Sequence, residues 1–322
     1  MRMKIFKIIV FALLSLAFIG LGVYDGLTNA RYKYEKNQVF TINSEDDFHE
    51  YLRFYNSYEV CRLESDLSLT RAFTSIGTKT NKFSKVFDGN GYTIKMTLEA
   101  KDTPLFNIVD KKGVIKNLEV EIDECTVNTS SYGALAIRNK GMITNCKLTM
   151  DDMKIKCDTM AGAMVAINDG DISFCHSKVK ISNKIVNSRK ESIVSGLCAF
   201  NNGNISSVIV NVCYNGFIGT NYSDILEGTL NETIGAIYGV NNSSLNVKDN
   251  YYICESDYYL SDSKYTLDIK NANFVFNETT LLNTLHFNNK IWELRIINQN
   301  TYNYDISLKD GVSVWWVKVI NF

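Results

Sequence analysis

The sequence predicts an all-β fold: a single right-handed parallel β-helix (a β-solenoid) with short helical caps, preceded by an N-terminal apolar helix. Two observations carry this. Four stretches share one spacing: "GVIKNLEVEI" from Gly113, "GMITNCKLTM" from Gly141, "GDISFCHSKVKI" from Gly170 and "GNISSVIVNV" from Gly203. A second pattern ends in asparagine at Asn139, Asn168, Asn201 and Asn241, at intervals of 29, 33 and 40 residues. Self-similarity at such a period marks a repeat architecture in which neighbouring turns stack on one another. Unequal intervals require a side of the winding where loops can bulge.

In chain order, residues 1–30 read as a signal peptide or N-terminal membrane anchor. Residues 31–82 read as an N-terminal cap and first coil, 83–255 as the β-helix repeats, and 256–322 as a C-terminal coil and cap. The first element rests on Arg2, Lys4 and Lys7, which precede 17 uncharged residues from Ile8 to Tyr24. A basic flank before an apolar run at the N-terminus is an export or anchoring arrangement, and Thr28-Asn29-Ala30 offers a small-residue cleavage site. Both cleavage and retention fit, and membrane contact is expected only through residues 4–24 of an uncleaved chain. The remainder is expected outside the cytoplasm, secreted or anchored.

Composition narrows the function classes. Of 322 residues, 45% are hydrophobic and 21% charged, enough for a core of ordinary size. The formal net charge is −1, a weak acidic balance that argues against nucleic-acid binding. Eight cysteines contain no CxxC pair, which excludes zinc-finger spacing, and a chain this long does not need a disulfide framework.

The N-terminal cap follows from "SEDDFHEYLRFY", Ser44 to Tyr55. Ser44 is an N-cap, Asp47 fills the acidic third position, and Phe48, Leu52 and Phe54 or Tyr55 form an apolar face. "EVCRL" and "DLSL" then begin the sheet. In "KVFDGNGYTIKMTL", residues 85–98, Asp88 to Gly91 is the corner between two strands of an early coil. "TPLFNIV" has the later pattern without its asparagine.

Within the repeats, Ile115, Ile143, Ile172 and Ile205 form one expected inward column, and Leu118, Cys146, Cys175 and Val208 another. The step between them is three residues, and two-residue alternation follows, which reads as strand, corner, strand. Stacked Asn139, Asn168, Asn201 and Asn241 are expected to link coil to coil through their amides. Asparagine also tolerates the left-handed backbone that corners need. Stacked Cys146 and Cys175 have Cβ atoms roughly 4.8 Å apart, wider than the roughly 3.5–4.5 Å of a disulfide, so both read as buried thiols. Lys147 and His176 each follow an inward cysteine and are expected to point outward. At the far end, residues 278–286 are a helix candidate, and "YNYDISL" and "VSVWWVKVINF" are strand candidates.

The stretches "FDGNGYTI", "PLFNIVDKKGVIKNL" and "GALAIRNKGMITNC" together resemble GLUG-motif proteins. These are extracytoplasmic bacterial β-helices, found also as modules of immunoglobulin-A-cleaving metalloproteases and of adhesin-like proteins. The resemblance spans residues 39–300 and departs from the family where Ile137, Ala166 and Ala199 stand at a usual glycine position, which Gly239 keeps. It implies a non-catalytic surface module.

Chemistry-bearing motifs are sparse. His49, His176 and His286 are the three histidines. "HEYLR" from His49 approaches the zinc-protease pattern but places Arg53, which cannot ligate zinc, at the second ligand position. Of Asp88, Asp110, Asp151, Asp152, Asp169 and Asp171, the adjacent Asp151 and Asp152 are the catalytic candidates should the chain be a polysaccharide lyase or glycoside hydrolase. Tyr251-Tyr252, Tyr258-Tyr259 and Trp315-Trp316 could stack on sugar rings or pack in caps. The leading expectation is a non-enzymatic, adhesin-like solenoid that takes no cofactor or metal. It would present a flat surface, and loops near 183–195 and 213–234, to a glycan or to a host or cell-envelope protein. A structural cell-envelope component is the third reading.

Overall fold

The computed structural model describes residues 39–183, 192–215, 232–242, 247–248, 250–254, 267–268, 292–298 and 303–308. They wind into a β-solenoid of about five turns with a single described helix. Four parallel sheets run along it. One complete turn shows the order: Met142–Thr144 in the leading sheet, Lys147–Ile155 in the long sheet, Met160–Gly162 in the short sheet, Val165–Asn168 in the asparagine sheet. The leading and long sheets have eight strands each, the asparagine sheet five and the short sheet four. An antiparallel pair, Trp292–Asn298 with Asn303–Leu308, stands apart as its own sheet.

Identical positions of successive turns stand in register. Ile115 pairs with Ile143, Ile143 with Ile172, and Ile172 with Ile205. All four are fully buried, as are Leu118, Cys146, Cys175 and Val208. At about 1.5–3 kcal/mol per buried aliphatic side chain, a single turn cannot offset its own ordering entropy, and stacking supplies the rest. One inward position is polar: Ser177 takes the place of Leu148 in the next turn, and its hydroxyl donates to Gly196 O at 2.6 Å.

The three-residue step between the columns has a backbone cause. Asn117, Asn145, Phe174 and Ser207 hold φ of 52°, 51°, 53° and 53°, one left-handed residue per turn between leading and long sheets. That residue bends the chain so that positions three apart both point inward. The marker asparagines are not among the residues with positive φ. The left-handed role expected of Asn139, Asn168, Asn201 and Asn241 therefore belongs to a different column. The Asp88–Gly91 corner follows the same rule, with Asn90 at 54° and Gly91 at 84°.

Small residues mark close approach between turns. A Cβ on Gly141, Gly170 or Gly203 would lie 2.1, 2.2 or 2.0 Å from the carbonyl oxygen of the glycine one turn earlier. No side chain fits such a gap.

The cap helix α1, Glu45–Phe54, starts at Ser44, whose Oγ accepts the Asp47 amide at 3.2 Å. Its buried face is Phe48 and Tyr51, whereas Phe54, placed on that face by the sequence reading, is 45% exposed. The i, i+3 pair wins because it packs against Phe73 and Phe87. Two expected loops shrink: Ser192–Ser195 is a strand, and Ile209–Asn215 continues through Cys213. The apolar segment 1–30, the helix candidate 278–286, the side chains of the tyrosine pairs and Trp315-Trp316 lie outside the described residues.

Candidate functional site

The outer face of the long sheet carries an ordered array of charged side chains. Its central strands Glu119–Val127 and Lys147–Ile155 have nine residues each and pair in register. In both, alternation of inward residues is interrupted by an added outward residue. Inward Ile122 and Cys125 bracket Asp123-Glu124, and inward Met150 and Met153 bracket Asp151-Asp152. The following strand, His176–Asn183, lacks the extra residue, so the ladder shifts between Met150 and Met153 and two residues oppose Lys180. This is a β-bulge, which re-aims side chains without ending the sheet. It sets two carboxylate pairs on neighbouring turns.

Most of these charges are compensated within the chain. Lys95 Nζ lies 3.1 Å from Asp123, Lys154 Nζ lies 2.5 Å from Glu124, and Ser182 Oγ donates to Asp152 at 2.6 Å. The hydrogen bond from Lys154 holds the Glu124 carboxyl below its usual range, and the same pairing pushes Lys154 up. The hydrogen bond and charge of Asp123 likewise push Lys95 up. Asp151 and Lys180 are exposed and make no ion pair or side-chain hydrogen bond with a described residue. At the early end of this face, Asp66, Leu67, Ser68, Thr93, Lys95 and Glu121 line a shallow open trough.

A second polar cluster is buried. Asp88 is 2% exposed and accepts from the Asn90 amide and Asn117 Nδ2, each at 3.0 Å. Lys116 lies 3.2 Å and Arg62 3.7 Å from its carboxylate. One column over, Lys147 meets Glu119 at 2.8 Å with both side chains buried, and His176 is buried in the next turn. The sequence reading pointed Lys147 and His176 outward, and their burial is what it did not show. Alternation identifies the side of the strand a residue takes, not whether that side is wet. These positions follow directly on the left-handed corner, and Lys147 there is covered with its partner.

The asparagine column is a continuous amide ladder. Asn139 Nδ2 donates to Asn168 at 2.8 Å, Asn168 to Asn201 at 2.8 Å, and Asn201 to Asn241 at 2.9 Å. The Oδ1 atoms of Asn139, Asn168 and Asn201 also take the N–H of the glycine two residues on, at 3.1, 3.3 and 3.2 Å. With both ends of each amide engaged inside the wall, this column is unavailable to a ligand. Next to it, Asp169 is held low: burial pushes its carboxyl up, but hydrogen bonds from Arg138 and Asn202 outweigh that.

The catalytic candidates Asp151 and Asp152 are brought side by side on the bulge. Asp152 is engaged by Ser182, and Asp151 is open to solvent. Elsewhere, hydrogen bonds hold the carboxyls of Glu45, Glu124 and Asp169 below their usual range. Asp110 and Asp169 share a column two turns apart, with Lys140 between them, and pair with Lys82 and Arg138 respectively. His49 is half-buried, 4.0 Å from Glu45. Seven of the eight cysteines, Cys61, Cys125, Cys146, Cys157, Cys175, Cys198 and Cys213, are free thiols. Among the described residues no group of three or more His, Cys, Asp or Glu could hold a metal ion, and no helix is long and apolar enough to cross a membrane.

The buried corner cluster is the part that pattern reading missed. Its only signal in the sequence was charge at three successive turns, Glu119, Lys147 and His176, directly after the corner. No family model, no curated protein and no solved structure matches this chain.

Proposed function

We propose that this chain is a non-enzymatic, extracytoplasmic β-solenoid of the GLUG-motif kind, wound right-handed, that binds a glycan or protein partner in the manner of an adhesin. The outer face of the long sheet is its contact surface. One observation carries this reading: the bulged strands project Asp123, Glu124, Asp151 and Asp152 from a sheet whose register fixes their spacing. Such an array of exposed, mostly compensated charges suits many-point polar contact. Three of its carboxylates are engaged, Asp123 by Lys95, Glu124 by Lys154 and Asp152 by Ser182, and Asp151 is open to solvent.

The test is a glycan array probed with the full chain and with the Asp123→Lys/Glu124→Lys variant. The expected result is binding to a defined subset of glycans, lost in the variant. A clean array for the parent chain turns the reading towards a structural envelope component. Release of reducing or unsaturated sugars by the parent, abolished by Asp151→Asn/Asp152→Asn, replaces it with a polysaccharide-cleaving enzyme.

A further inference from the structure

We propose that two copies of this chain dock antiparallel through the outer face of the long sheet, with Asp151 of each copy against Lys180 of the other. The inference rests on the reading of that face as a contact surface and names its partner.

It starts from the charges left over. On this face Lys95 is used by Asp123, Lys154 by Glu124, and Asp152 by Ser182. Asp151 and Lys180 are exposed and, like the half-buried Glu121 and Lys178, remain without an ion pair or side-chain hydrogen bond among the described residues. They lie at the bulge of two adjacent strands, bracketed by the pairs Met150–Val179 and Met153–Ile181. One anion and one cation on neighbouring turns form a self-complementary element, which an isologous contact requires.

The symmetry follows from the register. A two-fold axis parallel to the strands, midway between Lys147–Ile155 and His176–Asn183, keeps each position along the strand and exchanges the turns. Asp151 then faces Lys180 of the second copy, and Lys180 its Asp151. Thr149, which pairs with Lys178 within the chain, faces Lys178 across the contact. Glu121 and Asp123 face positions of the strand Ile209–Asn215 held by Asn211 and Cys213. No two like charges oppose each other in this arrangement, whereas an axis through the strand Lys147–Ile155 itself would set Asp151 against Asp151. At Asp151 and Lys180 the charges favour this register.

The size is adequate for a reversible contact. Four strands at about 4.8 Å spacing and about 3.3 Å per residue offer roughly 500 Å² per copy, or about 1,000 Å² in total, the lower bound of a specific interface. Such a polar contact is salt-sensitive.

Sedimentation velocity of the full chain tests this, in non-ionic detergent so that the apolar residues 8–24 do not associate. At about 50 mM salt the chain is expected to dimerise, and at about 500 mM to dissociate, as screening of exposed charges requires. Lys180→Glu alone and Asp151→Lys alone are each expected to weaken the dimer by about tenfold or more, as loss of one symmetric set of ion pairs requires. The double variant Asp151→Lys/Lys180→Asp restores the opposite-charge pairing and is expected to regain the dimer. Both residues are exposed, so circular dichroism should show the fold retained in each variant. A parent chain that stays monomeric at low salt overturns the docking, as do single variants that dimerise like the parent. Glycan binding by a chain that stays monomeric removes the docking while the contact-surface reading stands.

Discussion

Two columns of stacked side chains run along this solenoid, and asparagine serves a different purpose in each. In the asparagine sheet, Asn139, Asn168 and Asn201 pass hydrogen bonds towards later turns, ending on Asn241, while each of the three also accepts a glycine amide of its own turn. At the corner before the long sheet, the bonds run the other way: Asn145 Nδ2 donates to Asn117 at 3.4 Å and Asn117 Nδ2 to Asp88 at 3.0 Å. That chain ends on a carboxylate, which Lys116 and Arg62 balance. In the next two turns the corner column holds Phe174 and Ser207 with the same left-handed backbone. The first column repeats because of what the amide bonds to; the second repeats because of a dihedral angle, and the side chain there is free to change.

The largest expected effect comes from removing the support both columns share. Ile143 lies between Ile115 and Ile172 on the inner wall, fully buried. Ile143→Asp places a carboxylate where nothing can pair with it, a cost of several kcal/mol, about 4 or more. Thermal unfolding followed by circular dichroism should show the melting temperature collapsing or the folded state lost. Equal stability of variant and parent would mean that the inner wall is not dry.

The next effect separates the columns directly. Asn168→Leu leaves the amide N–H of Gly170 without its acceptor, takes the nearest acceptor from Asn139, which keeps Asp171 O and Gly141 O, and removes the donor to Asn201. Orphaning buried polar groups costs about 1–3 kcal/mol each, so a loss of about 2–4 kcal/mol is expected by urea denaturation. Asn145→Gly removes the long hydrogen bond to Asn117 and keeps a residue at ease with positive φ. Its expected cost is about 1 kcal/mol or less. Similar losses for the two would erase the distinction between an amide ladder and a backbone corner.

These two columns also show how far the sequence could be read. The repeat spacing placed Ile143 and Asn168 in register with their neighbours, because stacking demands the same residue kind at the same position in each turn. The same rule was silent at the corner, where Asn117, Asn145, Phe174 and Ser207 share a dihedral angle but no side-chain chemistry. It also missed the burial of Lys147 and His176. Alternation counts two sides, whereas their cover comes from neighbours that no local pattern names. The bulge at Asp151-Asp152 was legible only as an acidic pair, since its added residue is defined by the pairing of Met150 and Met153 with the next strand.

The smallest effect concerns pH and the thiols of the inner wall. Burial pushes Cys125 and Cys198 up to about 12, with hydrogen bonds only partly opposing it. In the unfolded chain these thiols ionise near pH ~8.5. Because the folded value is the higher one, their contribution is fully present below about pH 8.5 and is lost as pH rises towards 12. The melting temperature should therefore fall through that alkaline window, with a shallower slope for Cys125→Val/Cys198→Val. An aromatic disulfide reagent at about pH 8 should label the half-exposed Cys157 well before either of them. Simultaneous labelling would place the two columns in a wall that opens freely.

Everything turns on whether successive turns lie directly over one another. Residues 110, 140, 169, 202 and 242 follow the column through four turn-to-turn steps, joined by backbone bonds such as Lys140 N to Val109 O and Asn242 N to Asn201 O. At about 4.8 Å per step, Asp110 and Asn242 should be about 19 Å apart at their Cα atoms. Spin labels carried on genetically encoded residues at these two positions, read by pulsed electron–electron double resonance, give that separation without touching the native cysteines. A narrow distribution near 20 Å, widened only by the label arms, is the predicted result. A broad distribution, or one centred well beyond 30 Å, would contradict the stacked solenoid.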